Sequence, residues 1–337
     1  MSLADDHTGG PFLSIVLTGR NDGYGRDFTE RFLRTLAFNH QTLRDYGVAH
    51  EFIFVEWSPV PGQPWLADIA RDAVASLDEE SFVSCLVDPK YQQALTLNPR
   101  VVFLEFLAKN VGIRRARGRF VLATNCDVFL GRHICAMLAG GTLDPDVLYR
   151  ALRIDLKMHA DQTGVDWNML EDRRNHMSRE RTALTPPLYN GGTGDFMLLG
   201  REAWHSLRGF NEVYRTTRVG IDYNFLAKAY SSGYRIADIG GVVYHVNHVG
   251  TFRITPRQFD NPAGTAHYGD PRWPSDRVTY ANPETWGLRD APARDLGRGR
   301  TWLDFDWSAV PPLVDLKRVV LSPSRVGEAD VRRRVSQ

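Results

Sequence analysis

Residues 121–130 read VLATNCDVFL. An apolar run ends there in Asn125, Cys126 and Asp127. An acid that closes an apolar strand is one way to hold a divalent cation at a sheet edge, and equally a way to cap the turn that ends the strand. Other polar groups close apolar runs in the same manner: Arg20, Asn21 and Asp22 follow SIVLTG, and Glu56 follows FIFV. Further on, NGGTGDF presents Asp195 behind glycines at 191, 192 and 194, which let a backbone approach a ligand closely and adopt positive φ. Asp222 opens an apolar helical run, where a helix N-terminus favours the ionised carboxylate. YHVNHVG carries His245 and His248. A spacing of three puts these two on opposite faces of a strand, so only one is expected as a metal ligand unless the strand has already ended.

The elements that must position these groups follow from periodicity. Apolar runs at 11–22, 51–58, 81–88 and 119–127 read as strands. Residues 27–47, 66–80 and 101–117 read as helices. Strands that are apolar throughout and alternate with helices imply an α/β fold: a mostly parallel sheet covered on both faces. In such sheets ligands bind beyond the carboxyl ends of the strands, where Arg20, Asn21, Asp22, Glu56, Asn125 and Asp127 converge. Residues 151–189 are charged and weakly periodic, and read as a helix and loops joining two halves. A Gly-rich turn and short helix (186–212), a helix (221–234) and a strand-like run (235–250) follow. Beyond about residue 251 the chain is rich in Pro, Asp, Trp and Arg, and reads as a wrapping tail.

Composition bounds the answer. The 337 residues suit one large domain or two closely packed ones, with 43% hydrophobic and 24% charged residues. Forty-one basic residues against 40 acidic ones argue against nucleic-acid binding by bulk charge. No stretch approaches the roughly 18 apolar residues of a membrane span, although peripheral attachment stays open. The N-terminus lacks the basic region of a secretory signal. Three cysteines without CxxC spacing favour neither a disulfide framework nor structural zinc, and the cytoplasm is the simplest compartment.

Several stretches together resemble a family. IVLTGRND is similar to the first strand and loop of the GT-A glycosyltransferases, FVEWS to their second strand, and AKNVGIRRARGRFVLATNCD to the helix, turn and strand leading into their metal motif. YNGGTGDFMLLGREAWHSLRGFNE followed by VGIDYNF resembles the acceptor loop and catalytic helix of inverting, family-2-like and β-galactosyltransferase-like members. The resemblance covers roughly residues 12–250. It implies a nucleotide-sugar-binding half (1–150), an acceptor-binding and catalytic half (151–250) and a C-terminal extension (251–337).

The resemblance also implies roles. Asp127 and His248 would hold Mn2+ or Mg2+ against the diphosphate of a nucleotide-sugar, with UDP the expected nucleotide. Asn125 stands where an acid is expected, and would bond ribose or a metal-bound water without adding charge. Glu56 would accept from the base or ribose; Arg20, Asn21, Asn110 and Arg115 would surround the nucleotide. Gly192 and Asp195 would meet the acceptor, and Trp204 would stack on a sugar face or fill the core. Asp222 would take the proton of the acceptor hydroxyl during inverting transfer. It is the one acid left of an acid-acid-x-acid pattern that here reads Ile221, Asp222, Tyr223, Asn224. Cys126 would pack in the sheet, and His245 would serve in the core or behind the ligands. Composition alone, not the resemblance, suggests that residues 251–290, with Trp273, Trp286 and several Arg, close over the donor. The rival readings are a nucleotidyltransferase, for which TGRNDGYGRD supplies glycines and arginines, and an inactive nucleotide-sugar binding or scaffold protein, motivated by the acids missing at 125, 221 and 224.

Overall fold

The computed structural model of the chain describes residues 10–157, 164–177, 186–189, 193–215, 218, 220–248 and 281–311. Its elements in chain order are β1 (Leu13–Gly19), α1 (Phe28–Asp45), β2 (His50–Trp57), α2 (Leu66–Ala73), β3 (Phe82–Val87), α3 (Pro89–Leu95), α4 (Glu105–Arg115), β4 (Phe120–Ala123), β5 (Val128–Leu130), α5 (Arg132–Gly140), β6 (Val147–Leu156), α6 (Trp167–Glu171), β7 (Met197–Gly200), α7 (Arg201–Leu207), α8 (Ile221–Ser231), β8 (Arg235–Val246), β9 (Ala293–Gly297) and β10 (Arg300–Leu303).

The ten strands form one sheet in the order β5-β8-β6-β7-β4-β1-β2-β3-β10-β9. Pairing directions make β1, β2, β3, β4, β6, β8 and β10 run one way and β5, β7 and β9 the other. The sheet is thus mostly parallel and carries helices on both faces, as its apolar strands imply. Side chains alternate between the two layers: Leu13, Ile15 and Leu17 of β1 pack with Phe32 and Leu36 of α1, whereas Val16 packs in the other layer, with Ile113 of α4 and Trp204 of α7. The helix α4 comes so close to the sheet that a Cβ on Gly112 would stand 2.5 Å from a Val16 methyl carbon.

This topology explains where polar residues gather. The carboxyl ends of β4, β6 and β8 open on one edge of the sheet. The antiparallel β5 and β7 start on that same edge, so Asp127 and Asp195, just ahead of them, meet Asp155 and His245 at the ends of β6 and β8.

Two regions depart from expectation. Residues 151–156, read as the start of a helix-and-loop connection, instead complete the strand β6. Its sequence VLYRALRIDL reads as charged because Arg150, Arg153 and Asp155 turn into a buried polar layer instead of solvent. The second departure is in the tail, where residues 293–303 supply two strands: β10 lies parallel to β3, with Ser84 paired to Arg300 and Val87 to Leu303. Of the lid assigned to 251–290, residues 251–280 lie outside the described part. Residues 281–290 are packed down: Asn282 is fully buried, and Trp286 lies under Arg114 and against His205.

Candidate active site

The strand β4 ends at Ala123, and the next turn carries Asp127 into a buried position. His248 Nε2 stands 3.2 Å from Asp127 Oδ2, and His245 Nε2 stands 3.7 Å from Oδ1. The ligand atoms of these three side chains all lie within 4.8 Å of one another. Both histidines reach Asp127 because β8 ends at Val246, so the alternation of a strand no longer governs His248. Asp155, paired with His245 in the β6–β8 register, stands 3.0 Å from His245 Nδ1. In the tautomer whose Nδ1–H donates to Asp155, Nε2 turns a lone pair toward Asp127, which is how a metal-ligating histidine is held. Burial works against the charge of Asp127. His245, the His248 hydrogen bond and the buried Arg31, whose Nε is 3.5 Å away, nevertheless hold its carboxyl well below the usual range. One carboxylate and two imidazoles fit a divalent transition metal. The loop after β1 covers this cluster: Tyr24 meets the His248 ring edge-on at 5.4 Å, and Gly25, at φ 66°, leaves His248 the space a Cβ would take.

A second group lies beside the first. Lys109 of α4 is buried and its Nζ donates to Glu105, to Asn125 Oδ1 at 2.8 Å and to the carbonyl of Gly194 at 3.3 Å. Asn125 Nδ2 donates to Asp195 Oδ1 at 2.7 Å. Arg153 donates to Asp195 Oδ2 at 2.6 Å and, with its other nitrogens, to Asp155 Oδ1. A continuous chain of polar contacts thus runs from Glu105 through Lys109, the neutral Asn125, Asp195, Arg153 and Asp155 to His245 beside Asp127.

Asp222 stands at the start of α8, behind Gly220 in the left-handed region at φ 79°. Its Oδ2 lies so near Gly194 that a Cβ there would be 3.4 Å from it. Burial pushes the Asp222 carboxyl up; Lys109 and Arg150 pull the other way, and Glu105 adds to the rise. Its neighbours in the motif have other work. Ile221 is core, and the buried Asn224 bonds Asn211 and Tyr214.

Several residues expected at the nucleotide or the acceptor make contacts within the fold. Glu56 is fully buried, and its two oxygens accept from the amides of Leu66 and Ala67 at the start of α2. Burial, offset by those two bonds, leaves its carboxyl pushed up to about 7. Asn110 is also fully buried, clamped to Phe210 and Glu212. Arg115 donates to the carbonyls of Gly287 and Leu288 and so fastens the tail to α4. Trp204 donates to the Val121 carbonyl and stacks on Phe225 at 4.4 Å, which places it in the core. Cys126 is buried, its thiol donating to the Thr18 carbonyl. Arg20 and Asn21 remain partly exposed at the end of β1, donating to the carbonyls of Val102 and Pro64. Gly192 lies outside the described residues.

Sequence reasoning passed over Arg31, Lys109, Arg153 and Asp155. A signal existed for three of them. Lys109 interrupts the apolar FLAKNVGI, and Arg153 and Asp155, two apart, share one face of a strand.

No protein family matches the sequence, and no curated protein does. Among solved structures the chain is similar to S. aureus TarS 1–349, with 15% identity and a TM-score of 0.42, over 73% of this chain and 61% of that one. The same TarS segment in complex with UDP-GlcNAc is matched at 15% identity and TM-score 0.42, over 71% and 59%. GalNAc-T7 with UDP, GalNAc and Mn2+ is matched at 13% identity and TM-score 0.45, over 71% and 43%. The chain therefore spans under two thirds of each of these chains.

Proposed function

We propose that the chain is a GT-A glycosyltransferase that moves a sugar from a nucleotide-sugar, a UDP-sugar being the expected donor, to an acceptor hydroxyl with inversion. The observation that carries this reading is the meeting, at one sheet edge, of the Asp127–His245–His248 cluster and the half-buried Asp222, joined through Lys109 and the 193–195 loop. A divalent metal held by Asp127, His245 and His248 would supply Lewis-acid stabilisation for a diphosphate leaving group. The imidazoles favour Mn2+ over Mg2+, which prefers oxygen ligands. Asp222 would take the acceptor proton as the hydroxyl attacks the anomeric carbon from the face opposite the leaving group. Its raised carboxyl makes it a stronger base than a solvated aspartate. Arg20 and Asn21, at the end of β1, would contact the nucleotide, and Asp195 would serve the acceptor side through its loop. Among the described residues no helix is long and apolar enough to cross a membrane. The three cysteines are free and buried, which suits a reducing compartment.

The reading is tested by melting the protein with UDP, GDP, CMP and dTDP, each with and without Mn2+. A ligand at about 100 times its Kd adds roughly 2.7 kcal/mol, so one nucleotide should give a Mn2+-dependent rise in Tm. Absence of a rise with every nucleotide would remove the transferase assignment.

A further inference from the structure

The residue at 125 departs from the acid that the metal motif leads one to expect, and the structure supplies a reason. Asn125 sits between a group that can only donate and a group that accepts: the Lys109 ammonium at 2.8 Å and the Asp195 carboxylate at 2.7 Å. These partners fix the orientation of the amide, since oxygen must face the ammonium and nitrogen the carboxylate. A side chain of this size that accepts on one branch and donates on the other is an asparagine. An aspartate here would set one carboxylate against another.

We infer that Asn125 is a positioning residue, required as an amide, that holds the Gly194–Asp195 loop against Asp222, and that it is not a vacated metal ligand. The inference deepens the proposed function and rests on it for the role of Asp222. The loop has three further ties: Lys109 to the Gly194 carbonyl, Thr124 to the Asp195 carbonyl, and Arg153 to the Asp195 carboxylate. Asn125 is the tie that joins Lys109 to Asp195. Restoring the acid therefore damages the site. The remedy is to exchange the two side chains. In Asn125→Asp/Asp195→Asn, the carboxylate at 125 accepts from Lys109, and the amide at 195 donates to that carboxylate and accepts from Arg153. Every bond then has a donor and an acceptor, and the net charge is unchanged.

The experiment compares the full chain with Asn125→Asp, Asn125→Ala and the exchange variant. Asn125→Asp is expected to lower Tm by at least about 3 °C and to melt below Asn125→Ala, because two facing carboxylates are worse than two missing bonds. The exchange variant is expected to recover most of the loss. In turnover, Asn125→Asp should lose kcat at least tenfold with little change in Mn2+ affinity; the exchange variant is read by melting alone, because Asp195 itself serves the acceptor side. Asn125→Asp melting at or above wild type, or binding Mn2+ more tightly, overturns the inference, as does an exchange variant no more stable than Asn125→Asp. The melting comparison needs no catalysis, so it decides the inference even if no donor is turned over and the transferase reading fails.

Discussion

At the scale of single residues the site depends on groups that burial has moved from their solution behaviour. Asp222 must lose its proton to act as a base, and burial holds that proton on beyond the ordinary carboxylate range. Lys109, Glu105 and Arg150 are the charged groups that act on it. Activity should therefore rise with pH along a limb displaced above that of a free aspartate. A profile of kcat/KM across pH 4–9 checks this, and a plateau extending to pH 4 would take Asp222 out of the base role. Asp222→Asn should lower kcat by about 10²–10⁴-fold while leaving the nucleotide-induced rise in Tm in place. Asp155 makes a separate case. It touches no ligand position itself but steadies His245. Asp155→Asn should weaken Mn2+ binding by about 10–100-fold, read by calorimetric titration. Equal Mn2+ affinity in variant and wild type would mean that His245 stands outside the metal shell.

At the scale of elements, the histidine pair between α1 and β2 sets an acid limit on stability. His40 Nδ1 lies 3.0 Å from His50 Nε2, with His40 also on the Ser76 carbonyl and His50 on that of Val48. Burial lowers both imidazoles, His50 from 6.5 to about 4, with Arg44 and Asp78 the nearby charges. The unfolded chain takes up these protons near pH 6.5; the folded chain takes them up at lower pH, His50 only near 4. The contribution is complete above about 6.5 and is lost as pH falls toward 4. Glu56 has the opposite sign: its raised carboxyl makes the folded state hold a proton between the ordinary carboxylate range and about 7, so its contribution falls as pH rises through that window. His50→Gln should flatten the loss of Tm between pH 7.5 and 5.0; the same loss in variant and wild type would exonerate the pair. The elements also show what the sequence could disclose. β1, β2 and β4 were legible because central parallel strands are apolar on both faces. β6 was not, since three of its ten residues serve the polar layer. Asp127 and Asp222 were legible through their places at element ends. Glu56 and Asn110 stand in equally suggestive places, but that Glu56 caps α2 depends on how the intervening loop folds back, and that Asn110 clamps a turn depends on partners 100 and 102 residues along the chain.

At the scale of the whole molecule, the last described segment acts as a clasp. The RRARGR run fastens distant parts: Arg114 lies over Trp286, Arg115 holds Gly287 and Leu288, and Arg117 pairs with the buried Glu51. Trp286 is therefore a stability residue. Trp286→Ala should cost about 3–5 kcal/mol, measured by denaturant unfolding, with the nucleotide-dependent Tm rise retained in the folded fraction. Loss of that rise without loss of stability would return Trp286 to the donor site.

The seat of β10 beside β3 also bears on how the protein comes into being. A ribosome adding about 5–20 residues per second delivers Arg300 roughly 10–40 s after its partner Ser84. Through that interval the nascent sheet shows an apolar strand with one side unpaired, the kind of edge that other chains join. The fold is sealed from its far end, so premature termination between His248 and β10 yields chains that hold Asp127, His245 and His248 and still lack the strand that shields them from aggregation.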